Sequence, residues 1–435
     1  MIPIFRLDDA QGRRQVEALL GRLRLAPADV VFGRGLEAAA VNEILADVAR
    51  RGDAAVVDSC RKFDDPNFTV DQIRVSPQEM TQAAERVPTA LMGALRRAIA
   101  QVREYQQAMM PAQPEFLERP GLSLGMRFTP MDSAGLYFPG GKASYPSSLI
   151  HLAVPAQVAG VKRIAVATPP SKYGRSDLVL AAAHELGLTD VFRAGGAAAI
   201  AAMAFGTQTI PAVDKIVGPG NTYVQLAKRA LAGCVGIDGY LGPSEILILA
   251  DGSGNPAFIA ADLIAQAEHD PGSCFLLTTS EKLAADVAAQ IQSQGQSLSR
   301  LPALQKAMRD WSAAIVGESM EELIALANRF AAEHVNVQTR DDRAVLEKLR
   351  HAGAIFLGPH SPVAAGDYVA GPSHCLPTNT TARFTSGISV YEFLKRSSIA
   401  RYEPAGLQAD SDAIIALAQA EGLDGHAASA RIRGA

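Results

Sequence analysis

Residues 163–221 read RIAVATPPSKYGRSDLVLAAAHELGLTDVFRAGGAAAIAAMAFGTQTIPAVDKIVGPGN, and their texture sets the fold class. A short β-rich run (RIAVATPP) gives way to a helical stretch (LVLAAAHELG). Two further apolar runs then end in glycines, DVFRAGG and DKIVGPGN. Brief apolar runs alternating with Ala-rich helical segments are the pattern of a parallel sheet with crossover helices. A second series of the same kind starts at EILILAD (245–251) and continues through PAFIAADLIAQAEHD, CFLLTTS, AAIVG and AIFLG (354–358). Two α/β modules are expected, with no alignable repeat between them.

Outside these series the pattern is helical. LEAAAVNEILADVARRG and MGALRRAIAQVREYQQAM carry apolar residues at helical spacing, and Pro111, Pro114 and Pro120 break the run that follows. The last stretch, DSDAIIALAQAEGLDGHAASARIR, reads as helix, glycine turn, helix.

With 435 residues, 48% of them apolar and 20% charged, the chain can bury substantial cores and divides into two or more domains. A formal net charge of -4 leaves no basic stripe for a phosphate backbone, so nucleic acid is not an expected partner and a small molecule is. Cys60, Cys234, Cys274 and Cys375 form no CxxC pair, which argues against a disulfide framework and a thiolate zinc site and fits a reducing cytoplasm. The start, MIPIFRLDDAQGRR, has no apolar signal core and no run is long enough for a bilayer, so neither secretion nor membrane insertion is expected.

Eight histidines can be weighed singly. His151, His184, His351 and His360 lack an acidic or ligand-like neighbour at useful spacing and read as packing or surface residues. The other four have company. Gln266 and His269, in QAEHD near a helix end, share a face at i and i+3 and offer an oxygen and a nitrogen, donors that suit zinc; the same triplet also reads as an exposed polar helix end. Glu333-His334 stands at a helix-to-strand junction, where two adjacent side chains point differently and can serve separate proton transfers. A histidine stabilised by a helix C-terminus is the plainer reading. Asp367 and His374 lie in a long Gly- and Pro-rich segment, and Glu421 and His426 in the terminal turn. Together Gln266, His269, Asp367 and His426 form an N/O donor set suited to zinc or manganese.

Three glycine-rich turns, YFPGGKASYP (137–146), RAGGAAA (193–199) and VGPGNTY (217–223), follow expected strands and suit either a bound phosphate or a plain strand-to-helix turn. None is GxGxxG, so glycine spacing alone does not establish a dinucleotide site.

The ordered blocks GLYFPGGKASYPSS, GGAAAIAAMAFGT, KIVGPGNTYV, GPSEILILAD, QAEHD, EHVNV, AGDYVAGPSHCLPT, TARFTSG and AEGLDGH resemble the histidinol dehydrogenase family over essentially the whole chain. The resemblance implies an α/β fold of two incomplete Rossmann-like parallel-sheet domains with small helical N- and C-terminal domains, in an intertwined homodimer. It implies an N-terminal segment at 1–28, a discontinuous α/β domain at 29–138 and 244–388, an NAD-binding α/β domain at 139–243, and a C-terminal helical domain at 389–435. It implies one Zn²⁺ per subunit on Gln266, His269, Asp367 and His426, and a catalytic pair Glu333 and His334. The implied substrate contacts are Ser244, Gln266, His269, His334, Asp367, His374, Glu421 and His426, and NAD⁺ contacts include Tyr137 and Asn221. The C-terminal residues would complete the partner's site. The implied reaction oxidises L-histidinol through an aldehyde to L-histidine with two NAD⁺. His334 would have to be neutral, so activity is expected to rise as pH passes its pKa.

Three positions depart from the family's usual pattern. Ala198 stands in GGAAAIA where a glutamine normally contacts NAD, IDGYLGPSE places Gly239, Tyr240 and Leu241 before Ser244, and HLAVPA places His151 where MNAIPA is common. A relative oxidising another primary alcohol, such as a sulfopropanediol, is the alternative nearest in kind. A zinc hydrolase or an inactive binding relative is the alternative from another class; four protein ligands leave a hydrolase little room for metal-bound water.

Overall fold

A computed structural model describes residues 2–24, 35–140, 143–239, 242, 244–269, 272–296, 298 and 300–434. Gly141, Lys142, Tyr240, Leu241, Pro243 and Asp270, which belong to motifs singled out above, lie outside the described residues, as does the expected boundary at 28–29.

The two series become two separate parallel sheets. One has six strands in the order Ile4–Arg6, Ala313–Val316, Gly272–Thr278, Ser244–Ala250, His334–Gln338, Ala354–Leu357. The other has five, in the order Asp190–Arg193, Arg163–Thr168, Ser133–Tyr137, Lys215–Val217, Gly236–Ile237. Near-continuous apolar runs such as EILILA are fully buried, as expected of parallel strands covered on both faces by helices. A small antiparallel sheet of Leu394–Tyr402, Leu122–Pro130 and Leu117–Arg119 stands apart from both.

Apolar packing divides the chain differently from the family-based expectation. The strand Ser133–Tyr137 pairs inside the five-stranded sheet. The N-terminal helices Gly35–Arg51 and Thr89–Ala108 bury Val41, Leu45 and Val48, and Met92, Leu95 and Val102, on opposite faces of that same sheet. Residues 35–137 therefore pack with the module of 163–237. The first residues instead add the edge strand Ile4–Arg6 to the six-stranded sheet, and helix Ala10–Leu23 lays Val16, Leu19 and Leu20 on its face. The C-terminal region is not all helical either, because Leu394–Tyr402 is a nine-residue strand.

Helix ends follow local chemistry. Asn255 caps the helix Pro256–Ala267 by accepting from the Ala257 and Phe258 amides, with Pro256 at the first helical position. Gly272 must be glycine: a Cβ there would sit 2.2 Å from the Gln266 carbonyl oxygen, because the strand turns back directly beneath the helix end. That turn shifts one expected relationship. The helix ends at Ala267, so His269 is held by a turn, its amide donating to the Gln266 carbonyl at 3.2 Å, and is not on the helical face itself.

All four cysteines are free, and among the described residues no helix is long and apolar enough to cross a membrane.

Candidate active site

Ser244, Gly272 and His334 begin three adjacent strands, Ser244 lying opposite Gly272 and His334 opposite Ile246, so the six-stranded sheet presents its N-terminal edge. The five-stranded sheet presents the opposite edge. Tyr137, Arg193 and Val217 end its strands, and the glycine turns follow them. Ligands of open parallel sheets collect at such carboxyl ends.

Glu333 and His334 lie beyond the helix Met320–Phe330 and not on its last turn, since Ala331 ends that helix in a left-handed conformation, φ 45°. Both are buried in the sheet, which removes the plainer reading of a solvated helix-end histidine. The Glu333 carboxyl accepts from the Ser244 hydroxyl and, at 2.9 Å, from the Glu245 amide. Burial pushes its pKa well above the ordinary value; the neighbouring acids Glu245 and Asp367 add to the rise, and the two donors oppose it.

His334 Nδ1 lies 3.1 Å from the Glu245 carbonyl oxygen, which can only accept, so the ring proton sits on Nδ1. Nε2 is left with a lone pair, 4.0 Å from Asp367 Oδ1. Burial lowers the His334 pKa to about 3. The neutral imidazole required of a base is thus present without any titration near neutrality, so the expected rise of activity through a His334 pKa has no basis in the ordinary pH range.

Asp367 is at the end of a short helix, Val363–Tyr368, inside what the sequence presents as a loop. Its carboxyl, raised to about 6 by burial, is 3.8 Å from His374 Nδ1, and its carbonyl accepts from that nitrogen at 3.0 Å. His269 is close enough to His334 and His374 for its charge to depress both their pKa values. Ser244, Glu333, His334, Asp367, His374 and His269 are therefore neighbours. Gln266 is buried beside them on the helix end, and its Nε2 has no hydrogen-bond partner.

Glu421 and His426 are exposed on the C-terminal helical pair Pro404–Ala420 and Asp424–Gly434, with no side-chain contact to this cluster in their own chain. Among the described residues no group of three His, Cys, Asp or Glu is already gathered closely enough to hold a metal. The donors present, an imidazole, a carboxylate and the oxygen of a buried amide, fit zinc chemically but are one side chain short of a closed set.

On the five-stranded side, the Tyr137 hydroxyl accepts from the Gly196 amide at 3.1 Å, at the start of helix Gly196–Phe205. Asn221 caps the helix Thr222–Leu231 by accepting from Val224 N at 3.2 Å. Gly218, at φ 121°, passes so close to the Tyr137 carbonyl that a Cβ would be 1.9 Å from its oxygen. A buried pair missed by sequence reading fixes this turn. Lys228 Nζ donates to the Gly218 carbonyl at 3.0 Å, Asp238 accepts from the Gly218 amide at 2.6 Å, and Lys228 and Asp238 form an ion pair. Ala198 is fully buried in the apolar cluster under helix Gly196–Phe205.

Three further residues, none assigned to the site from the sequence, lie against it. Glu245 is buried between Asn379, whose amide donates to Oε1 at 2.9 Å, and an unpartnered Oε2; burial raises its pKa to about 8. Ser148 is 3.0 Å from His374 Nε2, and His151 stacks on the His374 ring with centroids 4.7 Å apart. Glu245 adjoins Ser244, Ser148 closes the block GLYFPGGKASYPSS and His151 is one of the departures from the family pattern, but none of these signals a contact with His374.

Two facing parallel-sheet modules, with a buried neutral imidazole and a carboxyl on one edge and glycine turns on the other, make an α/β enzyme of the oxidoreductase kind. The family model for histidinol dehydrogenase matches residues 35–434. The chain is 47% identical over 397 residues to a histidinol dehydrogenase of Synechococcus, covering 91% of this chain and 92% of that one. It is 44% identical over 431 residues to one of Bradyrhizobium diazoefficiens, covering 98% of each. A crystal structure of histidinol dehydrogenase from Elizabethkingia anophelis superposes with a TM-score of 0.90 at 33% identity, covering 99% of this chain and 98% of that one. The chain belongs to the histidinol dehydrogenase family, NAD-dependent four-electron dehydrogenases of histidine biosynthesis.

Proposed function

We propose that the chain oxidises L-histidinol through L-histidinal to L-histidine, with two NAD⁺ used in turn, in the cytoplasm. The observation that carries this reading is the placement of His334: its Nδ1 faces the Glu245 carbonyl at 3.1 Å, which leaves Nε2 as the proton acceptor facing the space beside Asp367. His334 Nε2 takes the hydroxyl proton as the first hydride leaves the carbinol carbon for nicotinamide. Glu333, in its ionised form, then takes a proton from water adding to the aldehyde carbon while the protonated His334 returns its proton to the aldehyde oxygen; neutral again, His334 takes a hydroxyl proton of the hydrate as the second hydride leaves. Ser244 and the Glu245 amide stabilise the charge that Glu333 needs for its step.

Gln266, His269 and Asp367, with His426 from a second copy of the chain, would hold the zinc ion. When bound, such an ion grips nitrogen donors of the substrate and supplies proximity and orientation. The exposure of Glu421 and His426 on a helical pair that also leaves Leu417 66% and Ile432 77% exposed supports pairing with a second copy of the chain. Ser244, His374 and Glu421 are assigned with these residues to substrate contact. Tyr137, at a strand end with its hydroxyl on the first amide of helix Gly196–Phe205, and Asn221, capping helix Thr222–Leu231, are assigned to NAD⁺.

The test is an assay of the zinc-loaded protein with L-histidinol and NAD⁺. About two NADH per histidinol are expected, from the two hydride transfers. No turnover of histidinol, together with turnover of a sulfonated diol, would reject the reading in favour of a different primary alcohol.

A further inference from the structure

His374 is held from a side that no motif announced. Its Nδ1 faces the Asp367 carbonyl at 3.0 Å and must carry the proton, so Nε2 is an acceptor, and the Ser148 hydroxyl at 3.0 Å donates to it. His151 covers the ring, with a centroid separation of 4.7 Å and an interplanar angle of 30°. Ser148 and His151 are spaced i, i+3 on the helix Pro146–Ala159, so one face of that helix supplies both contacts. The helix follows strand Ser133–Tyr137 and shares an apolar cluster with Cys375, the neighbour of His374, while Asp367 reaches His334 at the edge of the six-stranded sheet.

His151 is an uneconomical residue for packing alone. It is 0% exposed, and neither ring nitrogen makes a hydrogen bond, although the carbonyls of Asp367 and Tyr368 lie near enough to favour a proton on the ring. Burying two unpaired ring nitrogens costs free energy that an apolar side chain would avoid. The backbone is tied down as well, the Ser373 hydroxyl donating to the His151 carbonyl at 3.3 Å.

We infer that Ser148 and His151 are positioning residues, which fix the ring plane and orientation of the substrate-contacting His374 from the helix Pro146–Ala159. The inference rests on the assignment of His374 to the substrate. The Asp367 carbonyl sets the Nδ1–H tautomer, the Ser148 hydroxyl donates to the Nε2 lone pair this leaves, and the His151 face prevents the ring from turning away.

Steady-state kinetics of the zinc-loaded enzyme test this. Ser148→Ala and His151→Ala are each expected to raise KM for L-histidinol about fivefold, the worth of one neutral hydrogen bond or contact, with kcat and KM for NAD⁺ within about twofold of the parent. Ser148→Thr, which restores the hydroxyl, and His151→Phe, which restores the stack, are expected to return KM to near the parent value. Equal changes in both KM values, or no rescue by the conservative variants, would mean a merely structural role. His374→Asn separates the two levels. If it raises the histidinol KM while the Ala variants do not, positioning is wrong and the assignment of His374 stands; if it leaves that KM unchanged, both fall.

Discussion

The Glu333 carboxyl accepts a hydrogen bond from the hydroxyl of Ser244, a residue 89 positions earlier that opens the neighbouring strand. The contact joins a residue assigned to the substrate to one assigned to proton transfer, and it stabilises the charged form of a carboxyl that burial otherwise keeps protonated. Glu333→Gln keeps the shape and one acceptor but removes the basic oxygen. Turnover is expected to fall by about 10²- to 10⁴-fold, the usual worth of a general base, with zinc content by metal analysis unchanged. Loss of zinc in this variant would show that the residue had been given the wrong role.

His334 supplies a prediction about protonation. Its folded pKa is lowered to about 3, so the neutral ring persists above that value and is lost only in strong acid. Imidazole nitrogen NMR should show a single Nδ1–H tautomer with no protonation between about pH 5 and pH 8. A midpoint near the ordinary histidine value would contradict the geometry.

Glu245 gives a stability effect with a definite sign. Its folded pKa is raised to about 8, so between the unfolded carboxyl range and that value the folded state binds a proton that the unfolded state releases. Stability should therefore fall as pH rises through this window. Glu245→Gln removes the penalty: its thermal midpoint should match the parent near pH 4 and exceed it by the equivalent of about 1–4 kcal/mol near pH 9. An advantage that shrinks toward high pH would reverse the argument.

Lys228 and Asp238, 1% and 0% exposed, hold both the amide and the carbonyl of Gly218. Lys228→Met leaves a buried carboxylate unpaired, and about 3–5 kcal/mol of stability should be lost in urea unfolding. Lys228→Met combined with Asp238→Leu should recover much of that. If the double variant is as unstable as the single one, the turn geometry and not the charge is what the pair protects.

Complementation tests the shared site. His269→Ala and His426→Ala chains should each be inactive, but unfolded together and refolded as a mixture they should regain about a quarter of the parental activity, because half the dimers carry one intact site. No recovery would place His426 in the site of its own chain.

The parallel-sheet class was legible because buried parallel strands need unbroken apolar runs, and EILILA and RIAVAT are such runs. The order of the strands was not. Nothing in IFR marks Ile4–Arg6 as the edge of a sheet whose other strands lie beyond residue 240, and Ser133–Tyr137 hydrogen-bonds across to Arg163–Thr168 and Lys215–Val217. Gln266 and His269 were visible as a spaced pair, but the turn that carries His269 off the helix depends on the close return of Gly272.

By itself the sequence determined the two α/β modules and the family and marked candidate residues for the chemistry, since each is carried by local composition or by motif. Tertiary structure decided what those residues are. It set the tautomer of His334 through the Glu245 carbonyl, raised Glu333 and Glu245 by burial, and set Ser148 and His151 against His374, more than 220 residues away. Proton position and pKa depend on dielectric surroundings and on partners brought from distant parts of the chain, and those exist only once the two sheets have met.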